Sequence, residues 1–179
     1  MAERSQARLW SMRAVFAALC LGVIFWRVLP LDMVPRGWAG PDFIVALAFA
    51  WVLRRPEFAP ALLIAAVMLL ADLLFGRPPG LWAALVVGGA EMLRARGPGL
   101  RDMTFLPEWL SVASVLVAIT LAYRLVLSVL MVPQAPLGLS LMETLMTLLA
   151  YPLVVLASAL VLGVRKLRPG DAESIGSRA

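Results

Sequence analysis

The chain of 179 residues contains no histidine, and that absence removes much chemistry at once. A histidine-liganded metal, a bis-histidine haem and any serine–histidine or cysteine–histidine nucleophile pair all need the imidazole. Cysteine occurs once, at Cys20, so no disulfide can form within the chain. Lying inside an apolar run, this thiol reads as packing. Lysine also occurs once, at Lys166, and only 11 residues are acidic. Positive charge is left almost wholly to arginine, and 62% of the residues are hydrophobic.

The apolar residues fall in runs too long for a soluble domain, and the arginines lie between them. Arg4, Arg8 and Arg13 precede the first run, and Arg54 and Arg55 follow the second. Arg94, Arg96 and Arg101 follow the fourth, and Arg165, Lys166, Arg168 and Arg178 the last. The alternate connections hold only Arg27, Arg36 and Arg77. Cytoplasmic loops of membrane proteins carry this excess of cations. The expectation is one all-α domain over 1–179, a bundle of about six transmembrane helices with both termini cytoplasmic. The basic balance then serves lipid headgroups rather than nucleic acid. The first run also suits a signal peptide, but Trp26-Arg27-Val28-Leu29-Pro30 offers no small-residue cleavage site, so it is expected to be retained.

A span needs roughly 20 residues at 1.5 Å each. The spans read as 12–29, 41–53, 58–75, 81–93, 108–132 and 137–164, the second and fourth being short. Arg27 is expected to snorkel to the headgroups, and Pro41-Asp42 makes a good helix start. Gly76-Arg77-Pro78-Pro79-Gly80 and Val132-Pro133-Gln134-Ala135-Pro136 are outer turns. Segment 94–107 reads as a basic inner loop lying partly in the interface, with Trp109 at its end. Pro152 is expected to kink the last span, and the tail 165–179 to be disordered. Small residues recur four apart at Ala14, Ala18 and Gly22, at Ala84 and Gly88, at Ser114, Ala118 and Ala122, and at Ala159 and Gly163. Such stripes let helices approach closely in lipid, either within this bundle or against another protein's helix.

Three ionisable residues, Asp72, Arg124 and Glu143, fall within the spans. An uncompensated charge there costs roughly 2.5 to 3.5 kcal/mol on insertion scales, so each should face the bundle and have a partner. Arg124 lies about 12 Å below the outer end of its span and Glu143 about 9 Å, by the helical rise. Their spans share a short turn, so an Arg124–Glu143 pair is expected. Thr120 and Ser128, four residues either side of Arg124, extend a polar stripe toward the sixth span. Asp72 is expected to join this pair or to meet Arg77. Such a triad reads as a proton or substrate path, or as a structural ion pair fixing helix register; the missing histidine favours the second. Glu91 can reach the interface and is given no role.

Several segments together resemble the bacterial rod shape-determining MreD family, nearest its alphaproteobacterial branch. They are Asp72-Leu-Leu-Phe-Gly76-Arg77-Pro78-Pro79-Gly80, Pro41-Asp42, Arg54-Arg55-Pro56-Glu57, Tyr151-Pro152 and Gly163-Val-Arg-Lys-Leu-Arg-Pro-Gly170. The likeness extends over the whole chain. It implies a fold similar to the six-helix substrate-binding subunits of vitamin importers, no cofactor and no catalytic residues. It also implies a non-enzymatic scaffold of the cell-elongation complex in the bacterial inner membrane, controlling cell shape and peptidoglycan synthesis. The implied partners are a bitopic MreC-like protein, the peptidoglycan polymerase and transpeptidase pair, and the MreB filament directly or indirectly.

The loop from Asp72 to Gly80, with Gly76, Arg77 and Pro78 between, is then the expected meeting point with the bitopic partner. A solute-binding subunit of a vitamin-type transporter is the alternative. It requires a polar outer pocket, for which the outer loops offer only Asp32, Arg36, Trp38, Asp42 and Gln134. An intramembrane enzyme would need companions that Asp72, Glu91 and Glu143 lack.

Overall fold

The computed structural model describes residues 2–29, 38–100 and 104–164. These form six helices: α1 (Ala2–Val28), α2 (Phe43–Arg54), α3 (Ala61–Leu74), α4 (Leu81–Leu100), α5 (Phe105–Val129) and α6 (Leu137–Val161). No strand occurs among the described residues. The tail 165–179, with its expected disorder, lies outside them, as do Asp32, Arg36 and Arg101.

Helix α2 is the centre of the molecule. Its sequence, Phe-Ile-Val-Ala-Leu-Ala-Phe-Ala-Trp-Val-Leu-Arg, has no polar face, and every residue but Phe43 is buried. A helix apolar all round has to be covered all round. Here α1, α4 and α6 pack directly on it, while α3 bridges α1 to α4 and α5 bridges α4 to α6. Trp51 is fully buried near its end, donates its indole N–H to Ser158 Oγ at 3.2 Å, and packs against the rings of Phe16 and Phe58.

Helices α1 (over Gln6–Val28), α5 and α6 are long and apolar enough to cross a membrane. Helices α2 and α3 are apolar but only 12 and 14 residues long, about 18 and 21 Å at the helical rise. Leu141, Leu145, Leu149, Leu153, Leu156 and Leu160 stand exposed along one side of α6, as do Leu121 and Leu125 on α5. A soluble monomer rarely displays so continuous an apolar face; a membrane protein does.

Two helices run further than the apolar runs predict. The first begins at Ala2, well before Met12, and α4 continues through Arg94, Arg96 and Pro98 to Leu100 where a loop is expected from Arg94. Arginine is a good helix former, so hydropathy marks where apolar surface ends and not where backbone bonding ends. Arg94 itself is held by Glu91 and by the Ala59 carbonyl at 2.7 Å.

The stripes of small residues are also placed differently from a role within the bundle. Ala14, Ala18 and Gly22 are exposed on α1, whose core-facing residues are Phe16, Cys20 and Ile24. Ala84 and Gly88 on α4, and Ser114 and Ala118 on α5, are exposed as well. The glycine that permits close helix approach is Gly89: a Cβ there would stand 2.8 Å from Val115 Cγ1 and 3.2 Å from Phe49 Cζ.

Candidate functional site

The end of the bundle where α2 begins brings together two buried acids, Asp42 and Asp72. Asp72, on the last turn of α3, has no exposed surface. Its Oδ2 accepts from the backbone N–H groups of Gly80 and Ala83, each at 3.1 Å. The carboxylate thus caps the first turn of α4 from the preceding helix, where orphan N–H groups and the helix dipole both favour an anion. The expected meeting with Arg77 is a backbone bond, Arg77 N–H to Asp72 O at 3.0 Å. Gly76 and Gly80 turn the loop in left-handed conformations, φ +65° and +85°, which side chains disfavour.

Asp42 caps α2 in the ordinary way, Oδ1 accepting from Ile44 and Val45 N–H at 3.2 Å. Its own N–H reaches Thr147 Oγ1 on α6 at 2.8 Å. Its Oδ2 faces two arginines, Arg27 at 3.9 Å and Arg77 at 3.8 Å. Both also reach Glu143 Oε1, at 3.4 and 3.5 Å. Two cations and two anions alternate around a square that joins α1, α2, the α3–α4 loop and α6. The Phe75 ring lies under both guanidiniums, and Arg77 also covers Trp82 at 5.4 Å. Arg27 is therefore a member of this network, not a headgroup anchor. Asp42 is its other unforeseen member, since from the sequence it reads as a helix cap and an outer-loop polar residue rather than as an ion-pair partner.

The expected Arg124–Glu143 pair does not form. Glu143 points to the square, and Arg124 Nη1 donates to Ser140 Oγ at 2.7 Å and to Ala135 O at 3.0 Å. Ser140 and Glu143 stand one turn apart on the same side of α6 and line one cavity with Arg124, but Glu143 is engaged by Arg27 and Arg77, and Arg124 bonds to Ser140 instead. The polar stripe of α5 faces α6 at Thr120, whose Oγ1 lies 3.3 Å from Thr144 Oγ1, and at Arg124, while Ser128 Oγ accepts from Gln134 Nε2 of the connecting turn at 2.8 Å.

Between the square and Arg124 lies a cavity of about 600 Å³. Arg77, Asp42 and Glu143 form one side and Arg124, Gln134 and Ser140 the other, while Leu116, Leu127 and Trp82 supply apolar wall. The Trp82 indole N–H and Gln134 Oε1 are buried and have no hydrogen-bond partner. This pocket is built from helix faces more than from the outer loops in which the sequence reading sought it.

The opposite end holds a second centre that the sequence reading missed. Arg54 Nη1 lies 2.5 Å from Glu108 Oε1, which also accepts the Tyr151 hydroxyl at 2.8 Å. All three side chains are buried. Trp109, expected at the interface, donates instead to Leu148 O at 3.0 Å. Since Arg54 and Glu108 each border an apolar run, they read as solvated loop charges. No cluster of three or more potential metal ligands occurs among the described residues. No family model, curated protein or solved structure matches the chain, so its likeness to the rod-shape family rests on the motifs quoted above.

Proposed function

We propose that this protein is a non-enzymatic scaffold subunit of the bacterial cell-elongation complex, holding the transmembrane helix of a bitopic MreC-like partner. In this reading it crosses the inner membrane six times with both termini cytoplasmic. It connects that partner to the peptidoglycan polymerase and transpeptidase pair and to the MreB filament. The observation that supports it most is the exposed stripe Ala14–Ala18–Gly22 on α1, with open space where a Gly22 side chain would stand. Helices in lipid associate through such small-residue faces, because packing rather than water exclusion drives them together. The Asp72-capped loop adds a rigid platform at the end of the bundle. The buried carboxylates Asp42, Asp72 and Glu108 are engaged in caps and ion pairs, which suits architecture more than turnover.

Replacing Ala18 and Gly22 by leucine, then measuring MreC recovery at equal expression, tests the reading. Recovery should fall at least severalfold, while Ser114→Leu on the far helix leaves it unchanged. Undiminished recovery removes α1 as the docking face, and failure of the wild type to retain MreC removes the scaffold reading itself.

A second reading, a solute-binding membrane subunit, is favoured by one observation: the polar-sided cavity it requires is present.

A further inference from the structure

We infer that the cavity between Arg77 and Arg124 is a binding site for an amphipathic oxyanion, a phosphate or carboxylate carried on an apolar body. The inference does not rest on the partner-holding reading and is lost or kept independently of it.

Charge comes first. On one side, Arg77 is balanced, together with Arg27, by Asp42 and Glu143. On the other side Arg124 forms no ion pair among the described residues; its hydrogen bonds there run from one nitrogen, Nη1, to a hydroxyl and a carbonyl. A guanidinium presents five N–H donors in a planar fork suited to a carboxylate or phosphate, and most of this fork is left for a ligand. The charged residues of the lining, Asp42, Arg77, Arg124 and Glu143, balance in number, but both acids are engaged by Arg27 and Arg77, so the cation facing the cavity without an acid partner is Arg124.

Polar satisfaction comes second. Buried polar groups are nearly always hydrogen-bonded, and the exceptions call for a reason. Two exceptions belong to residues lining this one cavity: the Trp82 indole N–H, a donor only, and Gln134 Oε1, an acceptor only. Tyr123, whose ring meets Trp82 edge-on at 5.2 Å, also lines the cavity. A ligand with acceptor oxygens and a hydroxyl or acid proton satisfies such a set.

Shape comes third. Along α5 the lining residues Leu116, Thr120, Arg124 and Leu127 share one side, so the cavity extends about 16 Å by the helical rise. Leu116 and Leu127 with the Trp82 ring offer an apolar body its contact. A volume of about 600 Å³ lies in the usual range for small-ligand sites, roughly 300 to 1,000 Å³. It accommodates a small amphiphile whole, or the head and first methylenes of a membrane lipid.

Full-length protein in a neutral detergent, read by native mass spectrometry, tests this with three probes: dilauroyl phosphatidic acid, dilauroylglycerol and phenyl phosphate. One-to-one binding of phosphatidic acid identifies the lipid source, and one-to-one binding of phenyl phosphate a soluble one; either supports the site. Arg124→Gln should weaken the bound probe at least tenfold. Trp82→Phe, which keeps the ring and deletes the N–H, should weaken it severalfold and serves if the arginine variant does not fold. Equal binding of the uncharged dilauroylglycerol overturns the proposal. So does failure of both anions to bind at millimolar concentration, or a folded variant that binds as the wild type does.

Discussion

The two ends of the bundle treat charge in opposite ways. At the Arg54 end an ion pair is closed at 2.5 Å, with side chains 6% and 0% exposed, and a tyrosine hydroxyl completes it. At the Asp42 end four charges stand 3.4 to 3.9 Å apart, and three of them are a fifth to a third exposed beside a cavity. A closed buried pair permits one arrangement of the helices that carry it. An open square beside a cavity tolerates small displacements, since each arginine faces two acids. The first suits a pin and the second a face that receives something.

If that contrast holds, the largest loss follows from breaking the pin. Glu108→Ala leaves Arg54 buried without its carboxylate, a change that costs roughly 3 to 5 kcal/mol in buried pairs. Thermal unfolding of the purified protein should shift down by about 2 to 4 °C per kcal/mol for a chain of this size. The double variant Arg54→Leu, Glu108→Leu should recover much of the loss, because apolar replacement of a whole buried pair is often neutral or better. An unshifted Glu108→Ala would abolish the distinction between the two ends.

The cap at Asp72 comes next. Asp72→Ala strips an acceptor from two backbone N–H groups of α4, and loss of a helix cap typically costs about 0.5 to 2 kcal/mol. Asp72→Asn keeps one oxygen to accept from Gly80 and Ala83, so its loss should be smaller. Equal losses for alanine and asparagine in thermal unfolding would mean that charge, not the hydrogen bonds, does the work there.

Much of this architecture was legible in the sequence, and the misses share a cause. Apolar runs locate all six helices, although the second reads only as a short span and not as the covered centre of the bundle. Periodicity also turns Thr120 and Arg124 toward α6. What hydropathy lacks is the angle around each helix. It therefore includes Gly88 in a stripe where Gly89 makes the close contact and leaves open which way the small residues face, and it cannot show that Arg27 and Arg77 reach Glu143 where Arg124 does not. Arg27, Asp42, Arg54 and Glu108 were missed for a related reason. Each sits at the border of an apolar run, where a snorkelling, capping or solvated charge looks the same as a buried partner until the helices are placed side by side.

The smallest expected effect separates the ends by salt. Glu143→Gln removes one anion from the square, but Arg27 and Arg77 keep Asp42, and Glu143 is a third exposed. Exposed pairs contribute about 0 to 1 kcal/mol, so the shift in thermal unfolding should be at most a few degrees. Ionic strength acts on the same terms, since the Debye length falls from about 10 Å at 0.1 M salt to about 3 Å at 1 M. High salt should therefore erase most of the difference between Glu143→Gln and the wild type while leaving the Glu108→Ala difference nearly intact, because a pair sealed from solvent is screened much less. Thermal unfolding of the three proteins at both salt concentrations decides it. A Glu143→Gln loss as large as that of Glu108→Ala, and equally indifferent to salt, would make the square a second pin and leave the cavity without an adaptable wall.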